Sequence, residues 1–311
     1  MKNQLKKINF NHSFIFFLFC NIFSLTILKF ENLVFSPLFC LLLILSIGVS
    51  HGSLDHIKGK KLLKIFEIKN MYIFYLLYIF IASSVIVLWT IMPSISLTIF
   101  LIVASFHFGK EDTQFLIVEN SYYNQLLFFL KGLLVILAPM FFHFEETISI
   151  FKLLLIDNES FYRTLGFIEM NNLILFGIIL STLSSILLFT KEFELKKFTI
   201  FLDYFSILII NYYLSPLIAF TIYFCFLHST RHGITLMHEL DENDLKNGLK
   251  NFIKKAMPLT ILTATFCLLG LYLLNNSYNF DSSILKVIFI GLASLTFPHI
   301  LLEYLIEKNE K

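Results

Sequence analysis

Ten long apolar runs are the feature that most constrains what this 311-residue chain can fold into. A helix needs about 20 apolar residues to cross a bilayer, and most of the runs approach that length. The mean hydropathy is +0.77 and only 15% of residues are charged, against about 25% in soluble domains. The sequence therefore predicts an all-α, polytopic membrane protein. The predicted helices cover 12–29, 33–52, 71–91, 94–109, 125–143, 172–190, 198–214, 216–232, 257–275 and 284–304.

No internal repeat, low-complexity tract or domain linker interrupts these runs. Only six prolines are present, and several of them fall in loops or at helix starts, where proline is tolerated. Residues 1–311 are accordingly predicted to form a single integral-membrane domain. The net charge of +2 is too small to argue for a nucleic-acid partner.

The distribution of basic residues predicts the orientation. If the N-terminus is cytoplasmic and the chain crosses ten times, nineteen lysines and arginines lie in inner segments and three in outer segments. Cytoplasmic loops are enriched in such residues. The sequence thus predicts ten transmembrane helices with both termini in the cytoplasm, in the cell (inner) membrane.

Five histidines lie near the same end of the even-numbered predicted helices. They are His51, His107, His228, His232 and His299. Because every even helix runs from outside to inside in this topology, the five side chains are expected in one layer near the cytoplasmic face. Ionisable groups inside membrane segments are costly and usually functional, so this convergence favours a metal site.

The spacing of His228 and His232 strengthens that interpretation. Residues four apart project from one helix face, so both rings can hold one ion, and His51 and His107 could complete the set. Acidic and further polar residues accompany them and could fix the orientation of the ligating rings. These candidates are Asp55, His56, Glu111, Asp112, His299 and Glu303.

Other polar residues in the apolar runs carry weaker signals. Asp203 could serve the site or face a polar interior, and the sequence leaves both open. Lys131 and Lys286 are expected to extend their ammonium groups toward the membrane surface. A site of imidazoles suits zinc, copper, iron or nickel.

The histidine segments together resemble a known family. His51-Gly-Ser-Leu-Asp55-His56, Phe106-His107-Phe-Gly109, Leu227-His228-Ser-Thr-Arg231-His232 and Pro298-His299 are similar to the signature segments of the Brp/Blh family. Members of this family are integral-membrane beta-carotene 15,15'-dioxygenases of rhodopsin-bearing microbes. The resemblance runs from about residue 45 to 305.

The resemblance implies a non-haem Fe(II) enzyme that uses dioxygen to split the central double bond of beta-carotene into two molecules of all-trans-retinal. The family's iron ligands fall on His51, His107, His228 and His232, with no catalytic residue beyond them. His299 and Glu303 match a further family segment without being ligands. The carotenoid is expected from the lipid bilayer, and the retinal could pass to a microbial rhodopsin.

Two alternative functions remain at the level of the sequence. A di-iron membrane desaturase or hydroxylase needs roughly twice as many ligands and adjacent histidine pairs, whereas this chain has no His-His dipeptide. A transporter or proton-coupled carrier would use intramembrane His, Asp and Lys as a relay. Inverted repeats or broken helices would then be expected.

Overall fold

The computed structural model describes residues 2–29, 36–117 and 121–309, and the regular structure in these ranges is entirely helical. This confirms the all-α prediction. The α-helices are α1 (Lys2–Lys29), α2 (Pro37–Leu43), α3 (Asp55–Ile65), α4 (Met71–Ile91), α5 (Pro93–Glu111), α6 (Tyr122–Phe142), α7 (Phe144–Leu153), α8 (Glu159–Met170), α9 (Leu173–Thr190), α10 (Phe198–Tyr213), α11 (Pro216–Ile222), α12 (Thr230–Leu240), α13 (Leu245–Leu274) and α14 (Phe280–Asn309). Short 3-10 segments cover Val49–Leu54 and Leu195–Lys197, and π-helical segments cover Ile44–Gly48 and Tyr223–Ser229.

Among the described residues, seven helices are long and apolar enough to cross a membrane. They are α1, α4, α5, α6, α9, α13 and α14. An eighth span results if the broken helix that runs from Pro37 to Ile65 counts as one crossing. The other predicted segments also form helices, but α10 has 16 residues and the segment 216–232 is divided among α11, a π segment and α12. Length alone therefore does not reach the predicted count of ten.

The second predicted segment, 33–52, begins outside the described residues. Its described part starts where the Ser36 hydroxyl accepts a hydrogen bond from the Leu38 amide at 3.2 Å. Pro37 then occupies the first helical turn, where its missing N–H would have no intrahelical partner in any case.

The two π-helical segments lie against each other, and the first ends shortly before His51 whereas the second contains His228. The Ser229 hydroxyl donates to the Gly48 carbonyl at 3.3 Å, and a side chain on Gly48 would collide with the Phe224 ring at 2.5 Å. Thr230 donates its hydroxyl to the Cys225 carbonyl at 2.8 Å. π-Helical turns inside α-helices occur frequently at functional sites, and here they set the direction of the residues that follow.

Helices α5 and α6 touch through their backbones. A Cβ on Gly109 would lie 1.8 Å from the Phe128 carbonyl oxygen, and one on Gly132 would lie 1.8 Å from the Ser105 carbonyl oxygen. Only glycine permits this approach, as at the small-residue contacts common between membrane helices. The contact fixes the end of α5, which carries His107.

Residues 144–171, which lie between two of the predicted membrane segments, form the helices α7 and α8. The indole Nε1 of Trp89 donates to the Leu154 carbonyl at 2.9 Å, and Trp89 is completely buried. Because one buried donor ties α4 to the turn after α7, this region packs against the bundle.

At the opposite end of the bundle, two ion pairs join α14 to its neighbours. The Lys58 ammonium on α3 lies 2.7 Å from Glu303, and Lys110 on α5 lies 2.5 Å from Glu307. Both pairs sit within a few residues of the predicted site residues. They hold the histidine-bearing ends of three helices together.

Candidate metal centre

Four histidine rings meet where α5, α14 and the junction between the second π segment and α12 come together. The centroid of the His107 ring lies 5.1 Å from that of His228 and 5.4 Å from that of His299. The His232 ring lies 5.7 Å from His299. All four side chains are buried. The structure thus brings together three of the four residues predicted as ligands, and it adds His299 to them.

The fourth predicted ligand, His51, has its backbone in the 3-10 segment Val49–Leu54. Its side chain lies outside the described part of the structure. Its neighbours Ser53 and Asp55 are buried.

Three of the rings are held by carboxylates through the same ring nitrogen. The Nδ1 atom of His228 lies 3.2 Å from Asp112, and that of His232 lies 2.8 Å from Glu111. The Nδ1 atom of His299 lies 2.9 Å from both carboxylate oxygens of Asp55. In a pair of this kind Nδ1 donates to the carboxylate and the proton-free Nε2 faces the opposite way, which is the arrangement that orients a metal-ligating histidine.

Glu111 and Asp112 reach two different histidines because they end α5 side by side. Glu111 is its last residue and Asp112 is the C-cap, so their side chains diverge. The second oxygen of Asp112 accepts a hydrogen bond from the Tyr223 hydroxyl at 2.7 Å. Gln114 donates to the second oxygen of Glu111 at 2.5 Å.

The described partners of Asp55 are His299 and the Tyr78 hydroxyl, the latter at 2.9 Å. A hydrogen bond between Asp55 and His51, one helical turn earlier, stays a prediction, because the His51 side chain lies outside the described part of the structure. His56 contacts the Ser53 carbonyl through Nδ1 at 3.0 Å.

The atoms that could hold a cation fall into two overlapping groups. In one, single ligand atoms of His107, His299 and Glu303 lie within 4.8 Å of one another, and in the other those of Glu111, His232 and Glu303 do so. Glu303 belongs to both groups, and it also accepts a hydrogen bond from Lys58. Imidazole and carboxylate donors of this kind suit a divalent transition metal.

The charges around the histidines also favour a divalent cation. Among the described residues around the histidines there are five carboxylates and three cationic side chains. The carboxylates belong to Asp55, Glu111, Asp112, Asp203 and Glu303, and the cations to Lys58, Lys131 and Arg231. With neutral imidazoles the balance is two negative charges, and buried uncompensated charge is strongly unfavourable. One divalent ion would neutralise the site, so the residues present fit a bound metal.

Asp203, whose role the sequence left open, pairs with Arg231. The two guanidinium nitrogens lie 2.7 and 2.9 Å from its carboxylate oxygens, a bidentate geometry. Arg231 also donates to the Asp112 carbonyl at 3.1 Å and to the Ser13 hydroxyl at 2.6 Å. It therefore ties α1 and α10 to the turn that carries Asp112.

The expectation for Lys131 is wrong. Its side chain does not extend to the membrane surface but is 6% exposed in the middle of α6. The Lys286 side chain is also buried, with its ammonium 2.6 Å from the Ser282 hydroxyl and over the Tyr278 ring.

Three contributors were not identified from the sequence. Tyr78 and Tyr223 each donate to a carboxylate that holds a histidine, and Lys58 pairs with Glu303. Tyr78 and Tyr223 lie among 13 tyrosines in apolar helices and carry no distinguishing pattern. Lys58 lies in a lysine-rich segment that the orientation rule already explained.

Comparisons with known proteins agree with this site. The family model described as beta-carotene 15,15'-dioxygenase matches residues 42–307. A beta-carotene 15,15'-dioxygenase of uncultured marine bacterium 66A03 is 28% identical over 267 residues, which cover 84% of this chain and 90% of that protein. No solved structure matches the chain significantly. The matched range contains all four histidines of the described cluster, and the chain belongs to the beta-carotene 15,15'-dioxygenase family.

Proposed function

We propose that this protein is a membrane non-haem iron dioxygenase that cleaves the central double bond of beta-carotene with O2 to give two molecules of all-trans-retinal. The observation that carries the proposal is the buried cluster of four histidine rings, three of them held by carboxylates through Nδ1. Family membership supplies the substrate and the reaction type.

The ligand set that we propose contains His51, His107, His228 and His232. His299 is a further candidate. Its ring centroid lies 5.4 Å from that of His107 and 5.7 Å from that of His232, which is similar to the 5.1 Å between His107 and His228. It also has the same carboxylate arrangement as His228 and His232. An Fe(II) ion held by these imidazoles would supply the electrons that activate dioxygen.

The chain's own residues orient the ligands and exclude water. The Phe108 ring meets the edge of His228 at a centroid distance of 4.8 Å, and Phe224 stacks on it at 5.9 Å. These apolar walls keep the site dry, which strengthens each hydrogen bond between a histidine and its carboxylate. No reducing cofactor is required, because each of the two aldehyde products takes one oxygen atom of O2.

An aromatic column leads from the histidines along the second π segment. Phe224 stacks on Phe220 with centroids 5.5 Å apart, and Phe220 lies at the same distance from Phe289 on α14. Such a surface suits a long conjugated hydrocarbon that enters laterally from the bilayer. Placement of the central carbons beside the metal would then select the bond that breaks.

The membrane arrangement that we propose has ten crossings, both termini in the cytoplasm, and insertion in the cell (inner) membrane. Seven described helices support a polytopic protein, and the uneven distribution of lysine and arginine supports the orientation. A product delivered within this membrane could pass to a microbial rhodopsin.

The function can be tested in bacteria that accumulate beta-carotene. Expression of the protein should bleach the orange colour and produce retinal, measured by liquid chromatography. A His232→Ala variant expressed at the same level is the control and should leave the colour unchanged. Expressed wild-type protein that leaves beta-carotene intact and forms no retinal would contradict the proposal.

A further inference from the structure

Lys131 is a buried cation that the proposed mechanism does not use. It lies in α6, next to Gly132 and the close contact with α5. Within the described part of the chain its ammonium makes no hydrogen bond or ion pair. A lysine in the interior of a membrane segment is costly and is retained for function more often than by chance.

The electrostatic surroundings of Lys131 point toward the metal centre. The carboxylates of Asp112 and Asp203 attract its ammonium, whereas the Arg231 guanidinium repels it. Asp203 already has a bidentate partner in Arg231. Asp112, by contrast, faces Arg231 only at 3.8 Å through its carboxylate, and Lys131 is a second cation that attracts it.

A small cavity is lined by both Lys131 and Asp112. Its volume is about 10 Å³, which is at the lower limit of what one water molecule needs. The lining includes Lys131, Asp112, Tyr223 and Tyr204, all of which carry polar groups. A buried water needs two to four such partners, and this cavity supplies them.

We propose that Lys131 is a positioning residue of the metal centre, which acts through one water molecule in this cavity on Asp112 and thereby on His228. This inference rests on the proposed function only in that the histidines bind a metal. A positive charge behind Asp112 holds its carboxylate in place against Nδ1 of His228, and the fixed ring then presents its other nitrogen to the ion.

The test is a double-mutant cycle on metal retention, measured as Fe(II) bound by purified protein during titration with a chelator. Lys131→Met keeps the length of the side chain but removes its charge, and should weaken retention by about 10-fold or more, as for other residues that orient ligands. Asp112→Asn should weaken it similarly. Because Lys131 acts through Asp112, the double variant should match Asp112→Asn within about 2-fold, whereas independent effects would multiply.

Lys286→Met is the matched control. Lys286 is also a buried lysine in a membrane helix, but its contacts are with Ser282 and Tyr278. Its replacement should leave Fe(II) retention unchanged. A similar loss in both lysine variants would assign the effect to general destabilisation and overturn the proposal.

The outcomes separate this inference from the proposed function. Wild-type protein that binds no Fe(II) contradicts the function itself, whereas equal retention in wild type and Lys131→Met contradicts only the role of Lys131. If Lys131→Met does not fold, Lys131→Gln replaces it in both the single and the double variant. Equal retention by the double variant and Asp112→Asn, together with a loss in the single lysine variant, supports the proposal, and a further tenfold loss in the double variant overturns it.

Discussion

At the scale of single residues, the direction of each imidazole is set by a carboxylate. Asp55 begins α3, whereas Glu111 and Asp112 lie at the end of α5. The histidines that they hold nevertheless come together around His107. A ring fixed at Nδ1 loses little freedom when a metal binds at Nε2. The network is therefore preorganised for a metal rather than formed around it.

His228→Ala and His232→Ala should each abolish retinal formation while the protein still inserts in the membrane. Each substitution removes one ligand and leaves Asp112 or Glu111 buried without its imidazole partner, so metal binding should fail. Retinal yield per amount of membrane-inserted protein is the measurement. A yield close to that of wild type from either variant would remove that residue from the ligand set.

Asp55→Asn should retain measurable activity but require more added iron. The change weakens the acceptor of the His299 hydrogen bond without removing a ligand, and such partners typically matter by about 10- to 100-fold. His299→Ala provides the comparison and should lose far more activity. Iron dependence of Asp55→Asn equal to that of wild type would show that Asp55 does not act on the site.

The residues at the site could be identified from the sequence more readily than their pairing. Helix counting placed His107, His228, His232 and His299 at one depth, and the structure brings these four together. The sequence could not pair Asp55 with His299, because the two residues are separated by 244 positions. The local helix type, which aims both side chains, is set by packing between distant segments.

At the scale of secondary-structure elements, the site depends on how closely α5 approaches α6. The helices meet at Gly109 and Gly132, and His107 lies two residues before Gly109. A side chain at this contact would push the helices apart, since the nearest atoms are backbone and cannot rotate away.

Gly109→Ala should lower the free energy of unfolding by about 1–3 kcal/mol, the usual range for overpacking. It should also reduce retinal formation, because it displaces His107. Unfolding in detergent, followed by fluorescence, measures the first effect. The control is Gly291→Ala on α14, where no atom lies within 4 Å of the added methyl group. Equal stability of the two variants would show that the α5–α6 contact has no energetic importance.

Element types were easier to predict than their interruptions. The apolar runs indicated helices at all ten positions, but hydropathy does not report the π segments at Ile44–Gly48 and Tyr223–Ser229. These arise from contacts between distant residues, such as Ser229 with Gly48. The helices α7 and α8 were missed because they have only 10 and 12 residues and too few apolar side chains to resemble a membrane span.

At the scale of the whole molecule, the broken helices carry His51, His228 and His232, whereas His107 and His299 lie in the continuous helices α5 and α14. The alternative function of a transporter also led to an expectation of broken helices. Here the breaks at Ile44–Gly48 and Tyr223–Ser229 contact each other and lead directly into the histidine segments. They are thus explained by the geometry of one central site.

Reporter fusions test the orientation of the whole chain. Fusions after residues 65, 190 and 311 should all report a cytoplasmic location, because the inner segments contain most of the lysines and arginines. A fusion at residue 163 in α8 is the control. The arrangement of ten crossings places this residue outside, so the fusion should report a periplasmic location. A periplasmic signal at 65 or 190 would contradict the arrangement of ten crossings.

The most direct test of the central claim is iron-dependent cleavage by the purified protein. Protein stripped with a chelator should convert no beta-carotene, and stoichiometric Fe(II) with O2 should restore the formation of two retinal molecules per beta-carotene. The His232→Ala variant should not respond to Fe(II). Equal retinal formation by the stripped protein with and without Fe(II) would contradict the assignment of the histidine cluster as the catalytic metal centre.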